Sequence, residues 1–173
     1  MFFAVQELEH HKIHFDTTYQ PGEISFVEGK IWQSGPLAVR GHAELLNNTL
    51  GEIRVRGQIS VRMQAECDRC LETALFPIDG PFDLFYRPAD TAPVHEETRI
   101  DAGESEIAFY QGLGLELAEV VREHVLLELP MQTVCSEDCR GICAVCGQNL
   151  NKGGCHCEQK PADDRWAALR NLR

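Results

Sequence analysis

The chain has 173 residues, 43% hydrophobic and 8% aromatic, and carries a net charge of −11. That size fits one domain, or one domain with a small appendage, and is enough for a packed core. No apolar run approaches the roughly 18 residues of a membrane span, and the opening "MFFAVQELEH" lacks the pattern of a secretory signal.

Residues 2–66 read mostly as strand. "KIHFDTTY" alternates at Ile13 and Phe15, and "GEISFVEGKIWQSG" repeats the pattern between glycines. The strongest signal is "PLAVRGHAELLNN" followed by "GEIRVRGQISVRMQAE". In the second run Ile53, Val55, Ile59, Val61 and Met63 share one face, Gly57 is the gap, and Arg54, Arg56, Ser60, Arg62 and Gln64 face water. "NNTLG" between the runs is a hairpin turn. "ETALFPIDGPFDLFYRP" contains Pro77 and Pro81, which predicts a bent or edge strand. Residues 88–106, with six acidic residues and two prolines, read as a solvated connector.

"EIAFYQG" offers a short strand. It leads into "LGLELAEVVREHVLLELP", where Leu117, Val120, Val121, His124, Val125 and Leu129 fall on one helical face before Pro130. A terminal helix fits "ADDRWAALRNLR", docking through Trp166, Leu169 and Leu172. The expected fold class is α+β: an antiparallel, barrel-like sheet, one long helix and a cysteine-rich module. Residues 1–130 would form the body and 131–173 the module.

Eight cysteines in a chain with no export signal are expected to stay reduced in the cytoplasm, which disfavours a disulfide framework and favours metal or redox chemistry. Their spacing is C-x2-C at Cys67 and Cys70, then Cys135-x3-Cys139-x3-Cys143-x2-Cys146-x8-Cys155-x-Cys157. Zinc takes four ligands at tetrahedral corners, and a C-x2-C loop brings two sulfurs to one ion. Cys143, Cys146, Cys155 and Cys157 are the expected first site. Gly147 would permit the tight knuckle, and Gly153–Gly154 the reversal that returns the last pair. Cys67, Cys70, Cys135 and Cys139 form a candidate second site, giving one or two Zn²⁺ ions, although ligands can be exchanged among Cys135, Cys139, Cys143 and Cys146. His156 can stand in for a neighbouring cysteine; His10, His11 and His14 have no partner motif.

All-cysteine sites are closed and structural, and no nucleotide-binding or hydrolase motif is present, so no enzyme and no small-molecule substrate are expected. A dithiol cycle at Cys67 and Cys70 is an alternative, although "CDRC" follows a hairpin rather than opening a helix. From Cys139 onward six basic residues face three acidic ones, leaving −14 on residues 1–138. An acidic body suits a basic protein partner, and the basic tail (Lys152, Arg165, Arg170, Arg173) would be the place for phosphate contact.

"ECDRCLE" closes a long hairpin. After it come a helix ending "LLELP", then "CSEDCRGICAVCGQNLNKGGCHC", then "DDRWAALRNL". In this order the motifs resemble the YceD family, the large ribosomal RNA subunit accumulation proteins, from about residue 50 onward. The resemblance matches Cys67 and Cys70 to the family's central pair, and Cys135, Cys139, Cys143, Cys146, Cys155 and Cys157 to the extra cluster of its cysteine-rich bacterial branch. It implies a non-enzymatic role in 23S ribosomal RNA accumulation and ribosome biogenesis, through a ribosomal protein, an assembly factor or precursor large-subunit rRNA. A zinc ribbon binding RNA or DNA directly is the alternative.

Overall fold

The computed structural model describes residues 1–91 and 107–157. The expected terminal helix at 162–173 and most of the 88–106 connector lie outside those residues. The chain runs β1 (Phe2–Ala4), α1 (Val5–Leu8), β2 (Ile13–Tyr19), β3 (Ile31–Gln33), β4 (Leu37–Leu45), β5 (Ile53–Glu66) and β6 (Thr73–Pro88). A 3-10 turn (Ala89–Thr91) follows, then β7 (Ile107–Tyr110), β8 (Gly114–Glu116) and α2 (Leu117–Glu128).

The main sheet has the order β2-β4-β5-β6-β7, with β3 also paired to β5. Alternation in β5 survives into the structure: Ile53, Val55, Ile59, Val61, Met63 and Ala65 are buried, and the residues between them face outward. The "NNTLG" hairpin also forms. Asn48 takes φ 61°, the Leu46 N–H donates to the Glu52 carbonyl at 2.8 Å, and Leu45 pairs with Ile53.

Gly41 and Gly57 pair directly across β4 and β5. A Cβ at Gly41 would fall 2.2 Å from the Arg56 carbonyl oxygen, and one at Gly57 2.2 Å from that of Arg40. The gap in the alternation therefore marks a close backbone approach that only glycine permits.

The sheet does not close into a barrel. Among the described residues β2 and β7 do not pair, and β7 runs parallel to β6, so the sheet is not wholly antiparallel. The apolar face is covered instead by α2, α1 and the small β1–β8 pair, whose Phe3, Leu8, Leu115, Leu117, Val120, Val121 and Val125 complete the core. His124 is buried with them against the Phe82 ring at 5.3 Å, and burial holds its pKa below the ordinary value. Tyr86 donates to Glu123 at 3.0 Å.

Three expectations change. Val5–Leu8 is a single helical turn, so α2 has a short companion rather than being the one helix. The expected helix begins only at Leu117 and has 12 residues, because Gly114–Glu116 is strand. A Cβ at Gly114 would strike the Phe3 carbonyl at 2.0 Å, so the β1 pairing selects glycine there. Residues 22–30 are mostly irregular, with only isolated bridges, although Ile24 and Phe26 are buried. The edge expected at Pro77 and Pro81 is found: β6 is a continuous 16-residue strand, but among the described residues it pairs with β7 only from Phe85 to Pro88, so both prolines fall where the missing N–H has no ladder to break.

Candidate metal centres

The β5–β6 hairpin closes at Glu66↔Thr73, and its tip is the Cys67–Cys70 loop. The Cys67 N–H donates to the Glu72 carbonyl at 2.8 Å, and the Leu71 N–H returns to the Cys67 carbonyl at 2.9 Å with Leu71 at φ 62°. The Cys143–Cys146 loop repeats the design. There the Cys143 N–H donates to the Gln148 carbonyl at 2.8 Å, and the Gly147 N–H to the Cys143 carbonyl at 2.8 Å, with Gly147 at φ 73°. These are two copies of one knuckle, with leucine in the left-handed position of the first. Glycine at 147 was legible in the sequence; Leu71 was not, because a β-hairpin on both flanks enforces what its side chain disfavours.

The structure gathers the eight cysteines into two groups. Cys67, Cys70, Cys135 and Cys139 have all four sulfurs within 4.8 Å of one another, and so do Cys143, Cys146, Cys155 and Cys157. In the first group Cys67 Sγ stands 3.8 Å from Cys139 Sγ, and Cys70 Sγ 3.6 Å from Cys135 Sγ. A tetrahedron of four sulfurs, each about 2.3 Å from a central ion, has an edge of about 3.8 Å, far beyond the roughly 2.05 Å of a disulfide. Each group can thus hold a metal ion. The exchange of ligands among Cys135, Cys139, Cys143 and Cys146 is not the arrangement seen. His156 carries no ligand atom in either group.

Protonation follows from crowding. Burial pushes the Cys67 thiol up, but N–H groups of Cys135, Arg69 and Cys70 aimed at its sulfur prevail and bring it down to about 6. The Glu72 N–H favours the Cys70 thiolate, yet burial and the three neighbouring sulfurs push it up to about 12. In the second group the N–H groups of Cys146 and Val145 bring Cys143 down to about 6, while the Cys146 sulfur pushes Cys157 up to about 12. The Asn151 side chain brings the Cys139 thiol down as well, so lowered and raised thiols share the first set, as expected of four sulfurs that need a cation to ionise together.

Several residues that position these sulfurs escaped the sequence reading. Asp68 and Thr133 exchange hydrogen bonds: the Asp68 N–H donates to the Thr133 carbonyl, and the Thr133 N–H to Asp68 Oδ2, both at 2.7 Å. Arg69 Nη1 donates to the Glu137 and Cys139 carbonyls at 3.2 Å, and the Arg69 carbonyl accepts from the Ile142 N–H at 2.9 Å. Gly141, at φ 73°, passes so close that a Cβ would sit 2.9 Å from the same carbonyl oxygen.

Asn151 joins the two centres. Its Nδ2 donates to Cys139 Sγ at 3.3 Å, and its Oδ1 accepts from the Arg140 N–H at 2.8 Å. Lys152, expected to meet phosphate, is instead paired with Glu72 at 2.5 Å. Gly153 and Gly154 have no positive φ, and a Cβ at Gly154 would meet open space. The reversal expected of them lies earlier, where the Lys152 N–H donates to the Asn149 carbonyl at 3.2 Å. The asparagines of "GQNLNKGG" were the available signal, since polar side chains between cysteine pairs have backbone and sulfur to satisfy.

The family model for the large ribosomal RNA subunit accumulation protein YceD matches residues 55–173. The chain is similar to the chloroplastic YCED homolog 1 of Arabidopsis thaliana, a large ribosomal RNA subunit accumulation protein. They are 36% identical over 59 residues, which cover 34% of this chain and 18% of that protein. It is also similar to the uncharacterized protein YlbN of Bacillus subtilis, 22% identical over 98% of this chain and 93% of that protein. An uncharacterized protein of Mycobacterium tuberculosis is 27% identical over 89% of this chain and 70% of its own length. No solved structure matches.

Proposed function

The chain belongs to the YceD family, and from that premise we propose that it is a non-enzymatic factor in 23S ribosomal RNA accumulation, stabilised by structural zinc at two centres. The observation that carries the metal half is the pair of closed four-sulfur sets, each drawn together from two separate chain segments. An all-thiolate set of this shape suits zinc, which saturates its coordination and acts as a cross-link rather than a reaction centre.

The chain's own residues do the rest. Cys67 and Cys70 hold their ion at the hairpin tip, and Cys135 and Cys139 bring the C-terminal segment to it. Asn151 then seats the second knuckle on the first. Cys67 and Cys70 sit inside a closed set, so on this reading they are ligands rather than a redox couple. Among the described residues no helix is long and apolar enough to cross a membrane. The factor works in the reducing cytoplasm, where its thiols stay available for metal.

Metal analysis of the purified chain is expected to give two zinc ions. No zinc, with eight freely titrating thiols, would sink the metal half. Depletion in the organism that carries the chain is expected to lower 23S rRNA and free large subunits, with rescue by the wild type and not by Cys143→Ser. Unchanged 23S levels would sink the other half.

A further inference from the structure

The metal centres leave the open face of the main sheet unused, and that face is chemically uneven. Outward positions of β5 carry Arg54, Arg56 and Arg62, spread over nine residues or about 27 Å of strand. Arg40 of β4 projects from the same face, opposite Gln58, to which its Nη2 donates at 2.8 Å. In a chain of net charge −11, four arginines on two adjacent strands are a concentration of cations that composition hides.

The acids on this face are mostly engaged. Asp83 is gripped by Arg54 through two hydrogen bonds, at 2.8 and 2.5 Å, Glu44 lies against Lys12 and Arg54, and Asp79 accepts from Ser60. Asp16 stands opposite Arg40 across β2 and β4, and Asp83 opposite Arg56 across β5 and β6. Arg40, Arg56 and Arg62 have no ion pair among the described residues.

Shape and aromatics complete the picture. At the Gly41–Gly57 approach the face is hollowed into a cavity of about 630 Å³, lined by Arg40 and Arg56 together with His14, His42, the glycine backbone and Asp83, the carboxylate that Arg54 holds. Aromatic rings, two of them exposed, bracket the arginines. Trp32, opposite Gln64, is 37% exposed at one end. Phe85, under the Arg54 guanidinium at 5.3 Å, and Phe109, 54% exposed, lie at the other.

We propose that this open face binds unpaired large-subunit RNA, with Arg40 and Arg56 taking phosphates in the glycine-floored hollow and Trp32 and Phe109 stacking flanking bases. The inference deepens the proposed function and rests on it. A sheet face joining cations with exposed rings suits splayed single strands; a duplex would bury its bases and leave the rings idle. It places an RNA contact on the sheet in addition to the tail expected from the sequence, of which Lys152 is already paired with Glu72.

Fluorescence anisotropy of the zinc-loaded full chain with a labelled unpaired RNA of about 20 nucleotides, across a salt series, tests this. Each phosphate contact contributes about 0.7 to the slope of log K against log salt. Arg40→Ala/Arg56→Ala is therefore expected to reduce the slope by about 1.4 and weaken binding about 25-fold at 0.1 M salt. Arg40→Lys/Arg56→Lys should keep the slope, with the melting temperature of both variants unchanged.

An unchanged slope in the alanine variant overturns the inference. So does RNA binding absent from the wild type, and so does binding of poly-glutamate instead, which would make the face a site for an acidic protein segment. If RNA binding is absent while depletion still lowers 23S rRNA, the proposed function stands and only the platform falls. If depletion is also silent, both fall.

Discussion

Serine in place of Cys67 removes one of the four sulfurs that tie the β5–β6 hairpin tip to residues 133–142. Six hydrogen bonds make the same connection. They are the Asp68–Thr133 exchange, the Thr133 hydroxyl to the Glu66 carbonyl, the two from Arg69 Nη1, and the Ile142 N–H to the Arg69 carbonyl. At about 1 kcal/mol each they supply about 6 kcal/mol. Ordering the ten-residue segment costs about 15 kcal/mol, so hydrogen bonds alone fall short by about 9 kcal/mol. A four-thiolate zinc adds about 10–16 kcal/mol, a net of about 1–7 kcal/mol in favour of docking.

Metal, not hydrogen bonding, therefore decides whether this segment is held. In Cys67→Ser, zinc content is expected to fall from two ions to one. The Ile142 amide should lose at least about tenfold in hydrogen-exchange protection, the equivalent of about 1.4 kcal/mol. Amides of β5 near Val55 and Ile59 should keep theirs. If one zinc is lost and Ile142 stays protected, the reasoning is wrong, because the hydrogen bonds would suffice.

Three further outcomes follow from other contacts. Asn151→Ala should keep both zinc ions while loosening the second knuckle against the first, which Lys152–Glu72 and the Ile142–Arg69 hydrogen bond still connect, at a cost of about 1–3 kcal/mol, read as faster exchange over residues 140–157 with the β5 amides unaffected. Gly57→Ala forces a Cβ to within 2.2 Å of the Arg40 carbonyl and should cost about 3 kcal/mol; a thermal melt within error of the wild type would deny the close approach. Zinc uptake must take the proton from Cys70, where the Glu72 N–H is outweighed by burial and the neighbouring sulfurs and the thiol is pushed up to about 12, and from Cys157, which the Cys146 sulfur pushes up to about 12. Zinc affinity measured by chelator competition should therefore fall as pH is lowered; an affinity unchanged from about pH 9 to about pH 6 would contradict this.

Much of this protein is local and so is written in the sequence. The period-two run of β5, the "NNTLG" hairpin, the buried stripe of α2 and the knuckle glycine at 147 each depend on residues a few positions apart, where alternation, helical pitch and φ preference act directly. The division of cysteines into two fours was also readable as a candidate, because C-x2-C spacing is itself a statement about geometry. What only the tertiary structure decided is what joins distant segments. Gly114 is strand rather than helix because β1 passes beside it, 110 residues earlier in the chain. The sheet stays open because α2 and the β1–β8 pair cover the face a barrel would have closed upon. Leu71 holds a left-handed φ because two long strands meet at it. Arg69 and Asn151 look like ordinary surface residues until the fold lays residues 133–142 across the hairpin tip. The four sheet-face arginines, separated in sequence by acids and apolar residues, become one surface only when β4 and β5 pair. Sequence reports what neighbours along the chain prefer; contact between strands and knuckles far apart in the chain is set by which apolar faces and sulfurs must be satisfied together.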